Sequence, residues 1–278
     1  GFPSKMVITD LTGKTIKVLA DLPSTEGTPS GYDNTQNVPR SFDWRDDEAS
    51  TITWAEPLDS GLIKKQVEFR DAIYALSAPF SGNPSLLFKT KLRYGGTTWG
   101  NENIALVSEI SRSKQLVRVN LFNSNKGSVE LMLERNQTDA YGNPGSPVTS
   151  KNKYGRNVIT TIENGTKLLM NNTTGSSPNG DLPFLAKFDL NTKQNEIIWR
   201  ANPGVFEYVV EVLDANNLTL LSRKESQKEV PNYYIKNLRL RIADKAITNF
   251  TNPYPALDGV TKEKIKYKRA DGVDLTGD

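Results

Sequence analysis

Six acids crowd one short stretch of this sequence: Asp43, Asp46, Asp47, Glu48, Glu56 and Asp59. Carboxylates grouped in this way can hold a calcium ion, or can cleave a glycosidic bond as an acid working with a base. No Asp-x-Asp-x-Asp-Gly loop is present. A solvated turn with one capping Asp is therefore the preferred reading, and Asp43, Glu56 and Asp189 are the candidates if the chain is a carboxylate enzyme. Two loops carry exposed-looking serines, Gly175-Ser176-Ser177 and Gly142-Asn143-Pro144-Gly145-Ser146, but neither has the Gly-x-Ser-x-Gly form of a nucleophile turn. The chain has no His and no Cys. A Ser-His-Asp triad, a His-containing zinc site, a thiolate site and a disulfide are all excluded within it. No catalytic, metal-ligating or cofactor-binding residue is assigned. Arg40, Arg45 and Arg93 remain, each beside a predicted innermost strand. Two readings of them stay open: they line a channel, or they pair with nearby acids.

These residues would have to be positioned by strands. A short phrase recurs along the chain: strand, Asp or Asn, Leu, polar turn, strand. It appears at Asp10-Leu11, Asn120-Leu121, Asp189-Leu190 and Asn237-Leu238, with a weaker copy at Ile73-Tyr74-Ala75-Leu76. The Asp or Asn can accept a hydrogen bond from the backbone two residues on and so start the turn. The leucines are expected to point into packing between sheets. They recur on average about every 57 residues, near the length of a propeller blade made of four short strands. Apolar alternation, not a helical period, runs through most segments. Ile63 to Tyr74 is the least clear stretch and could hold a short helix. Trp44, Trp54, Trp99 and Trp199 all fall on predicted strands and read as blade core rather than as a sugar platform.

The expected fold class is all-β, a partial β-propeller of about four to five four-stranded blades. The propeller region covers 1–251, with blades at roughly 1–22, 38–91, 92–136, 147–203 and 204–251. First strands are expected to begin at Ser41, Thr97, Asn157 and Phe206. Residues 252–278 read as a linker strand: a stop at Asn252-Pro253-Tyr254-Pro255, a charged strand from Lys262 to Tyr267, a turn at Asp271-Gly272 and a returning strand. The chain opens in mid-strand and ends in mid-hairpin, so the sequence predicts a piece of a longer protein. Uncovered sheet faces then predict self-association.

The 278 residues are 36% hydrophobic and 24% charged, with a net charge of +3. That balance carries no nucleic-acid footprint. No apolar run approaches the ~20 residues of a membrane span. The basic stretch from Lys262 to Arg269 is interrupted by Ile265 and Tyr267 and reads as a solvated strand face. Six Asn-x-Ser/Thr sequons, at Asn136, Asn164, Asn171, Asn172, Asn217 and Asn249, are what an Asn- and Thr-rich chain produces by chance.

Longer words in the sequence resemble the propeller half of the glutamyl endopeptidase branch of the prolyl oligopeptidase family. They run in order along nearly the whole chain: Pro39-Arg40-Ser41-Phe42-Asp43-Trp44-Arg45 with Trp54-Ala55-Glu56; Leu92-Arg93-Tyr94-Gly95-Gly96 with Trp99; Gly142 to Ser146; Pro178-Asn179-Gly180-Asp181-Leu182-Pro183-Phe184-Leu185; Lys224-Glu225-Ser226; Ile247-Thr248-Asn249-Phe250 with Pro253-Tyr254-Pro255; and Lys266-Tyr267-Lys268-Arg269-Ala270-Asp271-Gly272-Val273. The resemblance implies a propeller that caps a C-terminal α/β-hydrolase domain and orients or filters peptide substrates. In such enzymes the last motif leads into that domain, which carries the Ser, Asp and His. No catalytic residue of the family therefore falls on this chain, and the family's early blades have no counterpart here. An exported or periplasmic bacterial compartment is the expectation. A five-bladed carboxylate glycosidase and a plain protein-binding scaffold propeller are the alternatives.

Overall fold

A computed structural model describes all residues except Glu102, Arg241, Asp258, Thr261, Lys262 and Asp278. Among the described residues the regular structure is strand, with two single-turn 3-10 segments at Thr25–Gly27 and Pro255–Leu257. The helix considered within Ile63 to Tyr74 is absent: that stretch is turn and bend until a strand begins at Asp71. The chain is nearly all-β and built from four-stranded sheets, as a partial propeller requires.

The strands follow one another as short meanders. Strands β1 (Ser4–Thr9) and β2 (Thr15–Leu22) form an antiparallel hairpin. Strands β3 (Arg40–Trp44), β4 (Thr51–Pro57), β5 (Asp71–Ser77) and β6 (Ser85–Thr90) pair in that order in one antiparallel sheet. Strands β7 (Arg93–Trp99), β8 (Ile104–Ser111), β9 (Leu116–Asn123) and β10 (Ser128–Asn136) repeat the plan. Next come β11 (Ser146–Pro147), β12 (Thr149–Lys151), β13 (Asn157–Ile159), β14 (Thr161–Ile162), β15 (Lys167–Asn172), β16 (Ser176–Ser177), β17 (Gly180–Asp181), β18 (Phe184–Asp189) and β19 (Asn195–Arg200). Of these, β11, β15, β18 and β19 form a sheet in that order with β14 beside β15, while β12–β13 and β16–β17 are separate hairpins. The strand at Asn157 thus pairs with β12 and does not open a blade. The last four-stranded sheet is β20 (Val205–Asp214), β21 (Thr219–Ser226), β22 (Asn232–Asn237) and β23 (Lys245–Ala246). A final hairpin joins β24 (Ile265–Lys268) to β25 (Asp274–Gly277). The expected charged strand is therefore present from Ile265; its expected start, Lys262, lies outside the described residues.

The chain divides into two compact units. One comprises Gly1–Asn143, Pro147–Leu169 and Phe188–Asn195; the other comprises Pro144–Ser146, Met170–Lys187 and Glu196–Asp278. In the first unit, β4 and β5 carry nearly continuous runs of buried residues. Their β-branched and aromatic residues suit a strand covered on both faces. On one face Ile52, Trp54 and Leu76 pack with Ile8 and Phe80, while Leu19, Phe42 and Tyr74 close the cluster. On the other face Ala55, Ile73 and Phe88 meet Trp99, Ala105, Val107 and Phe122 from the next sheet. Phe88 and Phe122 lie 4.7 Å apart, centroid to centroid, in a tilted pair. Trp54 and Trp99 are thus core, but Trp44 is 40% exposed. In the second unit, β20 and β21 bury Val209, Leu220 and Ser222, and the Ser222 hydroxyl donates to buried Glu207 at 2.7 Å.

The recurring Asp and Asn turns form as expected at three places. Asp10 Oδ1 accepts from the Thr12 and Lys14 amides, Asp189 Oδ1 from Asn191 and Thr192, and Asn237 Oδ1 from Arg239 and Leu240. Asp214 makes the same turn between β20 and β21. Asn120 does not: it lies inside β9, buried, and donates to Glu109 at 2.7 Å. The turn it was expected to start is begun instead by Asn123, whose Oδ1 accepts from the Lys126 amide. The leucines divide as well. Leu190 is buried, Leu121 and Leu238 are half-buried, and Leu11 sits at a hairpin tip in full contact with solvent. The shared feature is a hairpin device, and it does not mark one fixed place in a blade.

Candidate functional site

The most organised polar site in the chain is an Arg–Asp cluster in the first unit. Its acids are Asp59, from the loop after β4, and Asp71, the first residue of β5; both are 0% exposed. Arg93, opening β7, reaches them both. Its Nη1 and Nη2 meet Asp59 Oδ1 and Oδ2 at 3.0 and 2.7 Å, and Nη1 also lies 3.2 Å from Asp71 Oδ1. Its Nε donates to the Asp33 carbonyl at 2.6 Å. A two-pronged pairing of this kind is the strong form of the Arg–carboxylate contact. Arg70 Nη1 joins Asp59 Oδ2 at 3.0 Å, Arg40 Nη2 joins Asp71 Oδ2, and the Tyr94 amide donates to the same Oδ2 at 2.7 Å.

Local sequence explains how the acids are held. Asp59-Ser60-Gly61 is an Asx turn, with the Gly61 amide donating to Asp59 Oδ1 at 2.9 Å. Gly61 has φ +77, and a Cβ there would sit 2.0 Å from the Thr35 carbonyl oxygen. That close approach lets the Thr35 amide donate to the Gly61 carbonyl at 3.0 Å, and the Asn34 side chain accepts from the Ile63 amide at 2.9 Å. The Pro/Ser/Gly loop before β3 is thereby tied to the cluster. Asp33 fastens it further, its carboxylate accepting from the Arg112 amide, the Ser113 amide and the Ser111 hydroxyl. Burial pushes the Asp33 carboxyl upward, yet the hydrogen bonds from Ser113, Arg112 and Ser111 prevail and hold it below the usual range.

The expected acid cluster separates into unrelated parts. Asp59 belongs to this cluster and is not a solvated turn residue. Asp47 is gripped by Arg45, Nε to Oδ1 at 3.0 Å and Nη2 to Oδ2 at 2.6 Å, and Arg45 also pairs with Glu48 at 3.0 Å. The Arg45 guanidinium lies over Trp99, 4.1 Å from the ring centroid, a cation–π contact. Burial raises the Asp46 carboxyl, helped by the charge of Asp43. Glu56 accepts from the Trp54 indole at 2.8 Å, Asp43 caps the Trp44 amide, and Asp189 starts a turn. No hydrogen bond or ion pair joins any two of Asp43, Glu56 and Asp189 among the described residues. Nor do the described residues contain a group of three or more acids placed to share a metal ion.

All three singled-out arginines therefore have acidic partners. Asp71 and Arg70 were missed in the sequence. Asp71 carried one signal, an acid fused to the apolar run Ala72-Ile73-Tyr74-Ala75-Leu76 with no turn residue between.

A second buried acid lies nearby. Glu109 on β8 is 3% exposed and accepts from the Leu92 amide at 2.9 Å and the Asn120 amide group at 2.7 Å. Burial raises its carboxyl above the usual range despite these bonds. It borders a cavity of about 260 Å³ whose other walls include Phe69, Lys89, Arg118 and Leu131.

No family model matches the sequence. Over 99% of its length the chain is 36% identical to an Arabidopsis thaliana protein named probable glutamyl endopeptidase, chloroplastic, and 34% identical to the Oryza sativa subsp. japonica protein of that name. It spans 30% and 31% of those two proteins. Among solved structures, oligopeptidase B from Trypanosoma brucei aligns with 85% of this chain and 38% of its own, at 11% identity and a TM-score of 0.43. Dipeptidyl peptidase 4 of Porphyromonas gingivalis aligns with 84% and 41%, at 9% identity and a TM-score of 0.45. The chain is a homologue of the glutamyl endopeptidases across about three-tenths of their length, the relationship its sequence motifs pointed to.

Proposed function

We propose that this chain is the non-catalytic, substrate-gating propeller region of a serine peptidase of the prolyl oligopeptidase family, one that cleaves peptides after Glu. The observation that carries the reading is the match along 99% of the chain to only 30% of a probable glutamyl endopeptidase. The chemistry belongs elsewhere in such a protein, because this chain has no His to serve as the base of a triad. Its partners are then a C-terminal α/β-hydrolase domain of the parent protein and peptide substrates.

Channel lining by Arg40, Arg45 and Arg93 is part of the proposal, with unequal roles. The forks of Arg93 and Arg45 are occupied by Asp59 and Asp47, which suits them to holding the wall in place. Arg40, whose side chain is 21% exposed, is the one suited to meet a substrate acid. For the compartment, the two relatives are named chloroplastic, and an exported bacterial protein remains our proposal for this one. No helix among the described residues is long and apolar enough to cross a membrane.

The test is to incubate the purified chain with a Glu-containing peptide. No hydrolysis is expected. Turnover that survives serine-peptidase inhibitors would overturn the reading and revive a carboxylate enzyme.

A further inference from the structure

One face of β8, β9 and β10 changes character along its length. Between β8 and β9, Ala105 opposes Phe122, Val107 opposes Asn120 and Glu109 opposes Arg118. On β10, Val129 opposes Phe122 and Leu131 opposes Asn120. Directly opposed residues share a face, as does every second residue along a strand. At one end this face is apolar, and Ala105, Val107 and Phe122 pack against Ala55, Ile73 and Phe88 of the preceding sheet. At the other end Glu109, Asn120 and Arg118 take over, and there the cavity of about 260 Å³ opens. Close packing between sheets normally leaves few voids larger than a water molecule, so the seam is interrupted at this point.

The cavity has a closed floor and an open mouth. Glu109 and Asn120 are buried and bonded to each other, which fixes the floor. Lys89, Lys91 and Leu131 are exposed and stand at the mouth. Phe69 and Val129 join Leu131 in an apolar wall. The cations around the cavity outnumber the acids. Arg118 spends its Nε on Glu134, and no ion pair engages Lys89 or Lys91 among the described residues. Lys89 Nζ rests instead 5.7 Å from the centroid of the Phe69 ring. With Glu109 and Glu134 both ionised, Lys89, Lys91 and Arg118 still leave one positive charge over. Burial favours the neutral form of Glu109, which enlarges that excess.

We propose that this cavity binds a small carboxylic acid with an apolar body. The carboxylate lies among the Lys89 and Lys91 ammonium groups and the Arg118 guanidinium, and the hydrocarbon covers Phe69, Val129 and Leu131. The volume falls just below the usual range for drug-sized ligands, so a small molecule fits. An amine of the same shape meets the surplus of like charge and is disfavoured. Inorganic phosphate satisfies the cations but leaves the apolar wall in water. The proposal does not depend on the peptidase reading, because it concerns binding to this chain alone.

The experiment is an amide chemical-shift titration of the isotope-labelled 278-residue chain. Its probes are sodium hexanoate, sodium acetate, hexylamine and inorganic phosphate. Hexanoate should saturate and move amides of β8, β9 and β10. Acetate, which lacks the chain, should bind more weakly by about tenfold or more. Hexylamine and phosphate should not saturate in the same range. The double variant Lys89→Gln with Lys91→Gln removes two exposed charges and should weaken hexanoate binding about tenfold. Thermal melting checks that it folds. Four results would each overturn the proposal: no saturation by hexanoate, hexylamine or phosphate binding as tightly as hexanoate, acetate matching hexanoate, or undiminished binding by the folded double variant.

Discussion

Two Arg–Asp forks in this chain have the same chemistry and opposite surroundings. Arg93 and Asp59 pair through both oxygens in the first unit, with side chains 10% and 0% exposed. Arg269 and Asp271 pair through both oxygens beside β24, two residues apart, with side chains 57% and 54% exposed. The buried fork joins the loop after β4 to the start of β7 and also anchors the loop at Asp33. The exposed fork joins nothing beyond its own turn. Both are two-pronged, end-on through Nη1 and Nη2 in the first and side-on through Nε and Nη2 in the second, and what separates them is the cost of leaving a partner behind. In water an abandoned charge is solvated, whereas inside the protein it is not.

The largest expected effect follows from that difference. Asp59→Ala takes the carboxylate from two largely covered guanidinium groups, leaving Arg70 without an acid and Arg93 with only Asp71, and should lower the unfolding free energy by about 3–5 kcal/mol in urea titration. Asp271→Ala should leave the urea midpoint where it was, because the pair it removes lies in water, where its charges are already screened. Equal losses in the two variants would break the contrast.

Burial should divide the repeated leucines in the same way, somewhat more weakly. Leu190→Ala, at 8% exposure, should cost about 2–5 kcal/mol, while Leu11→Ala, at a solvent-covered tip, should leave stability unchanged. A loss at Leu11 matching that at Leu190 would mean that its hairpin is covered in solution.

The smallest effects concern pH, and their signs are opposite. The Asp33 carboxyl is held low in the folded protein, so its contribution is fully present above pH 3.8, the unfolded value, and is lost as pH falls through the lower folded value. The Glu109 carboxyl is raised from 4.5, so the folded state holds its proton longer, and stability falls as pH climbs from there through the raised value. Asp33→Asn should flatten the acid side of the stability profile. Glu109→Gln should flatten the decline just above pH 4.5. Melting curves from pH 2 to 7 check both, and a steeper decline in Glu109→Gln would contradict the assignment.

Much of the strand plan is legible in the residues. Thr51-Ile52-Thr53-Trp54-Ala55 and Ala72-Ile73-Tyr74-Ala75-Leu76 can hardly be other than covered strands. Asp10, Asp189 and Asn237 start turns because their side chains satisfy the next amides locally. Asn120 shows the limit of that logic. Its side chain can serve a turn or a neighbouring strand equally well, and Glu109, eleven residues away, captured it. The site was less legible than the strands. Arg40, Arg45 and Arg93 stood out, but their partners did not.

The sequence by itself determined the all-β class, the hairpin turns, the absence of any histidine-based chemistry and the kinship with glutamyl endopeptidases. Each of these depends on residue types or on contacts a few positions apart. Only the tertiary structure decided which charges are buried. Asp59 comes to Arg93 across 34 residues and Asp71 comes to Arg40 across 31. An acid in a turn looks the same in a sequence whether water or two arginines surround it. Burial is a property of everything that packs around a residue, and no local pattern encodes it.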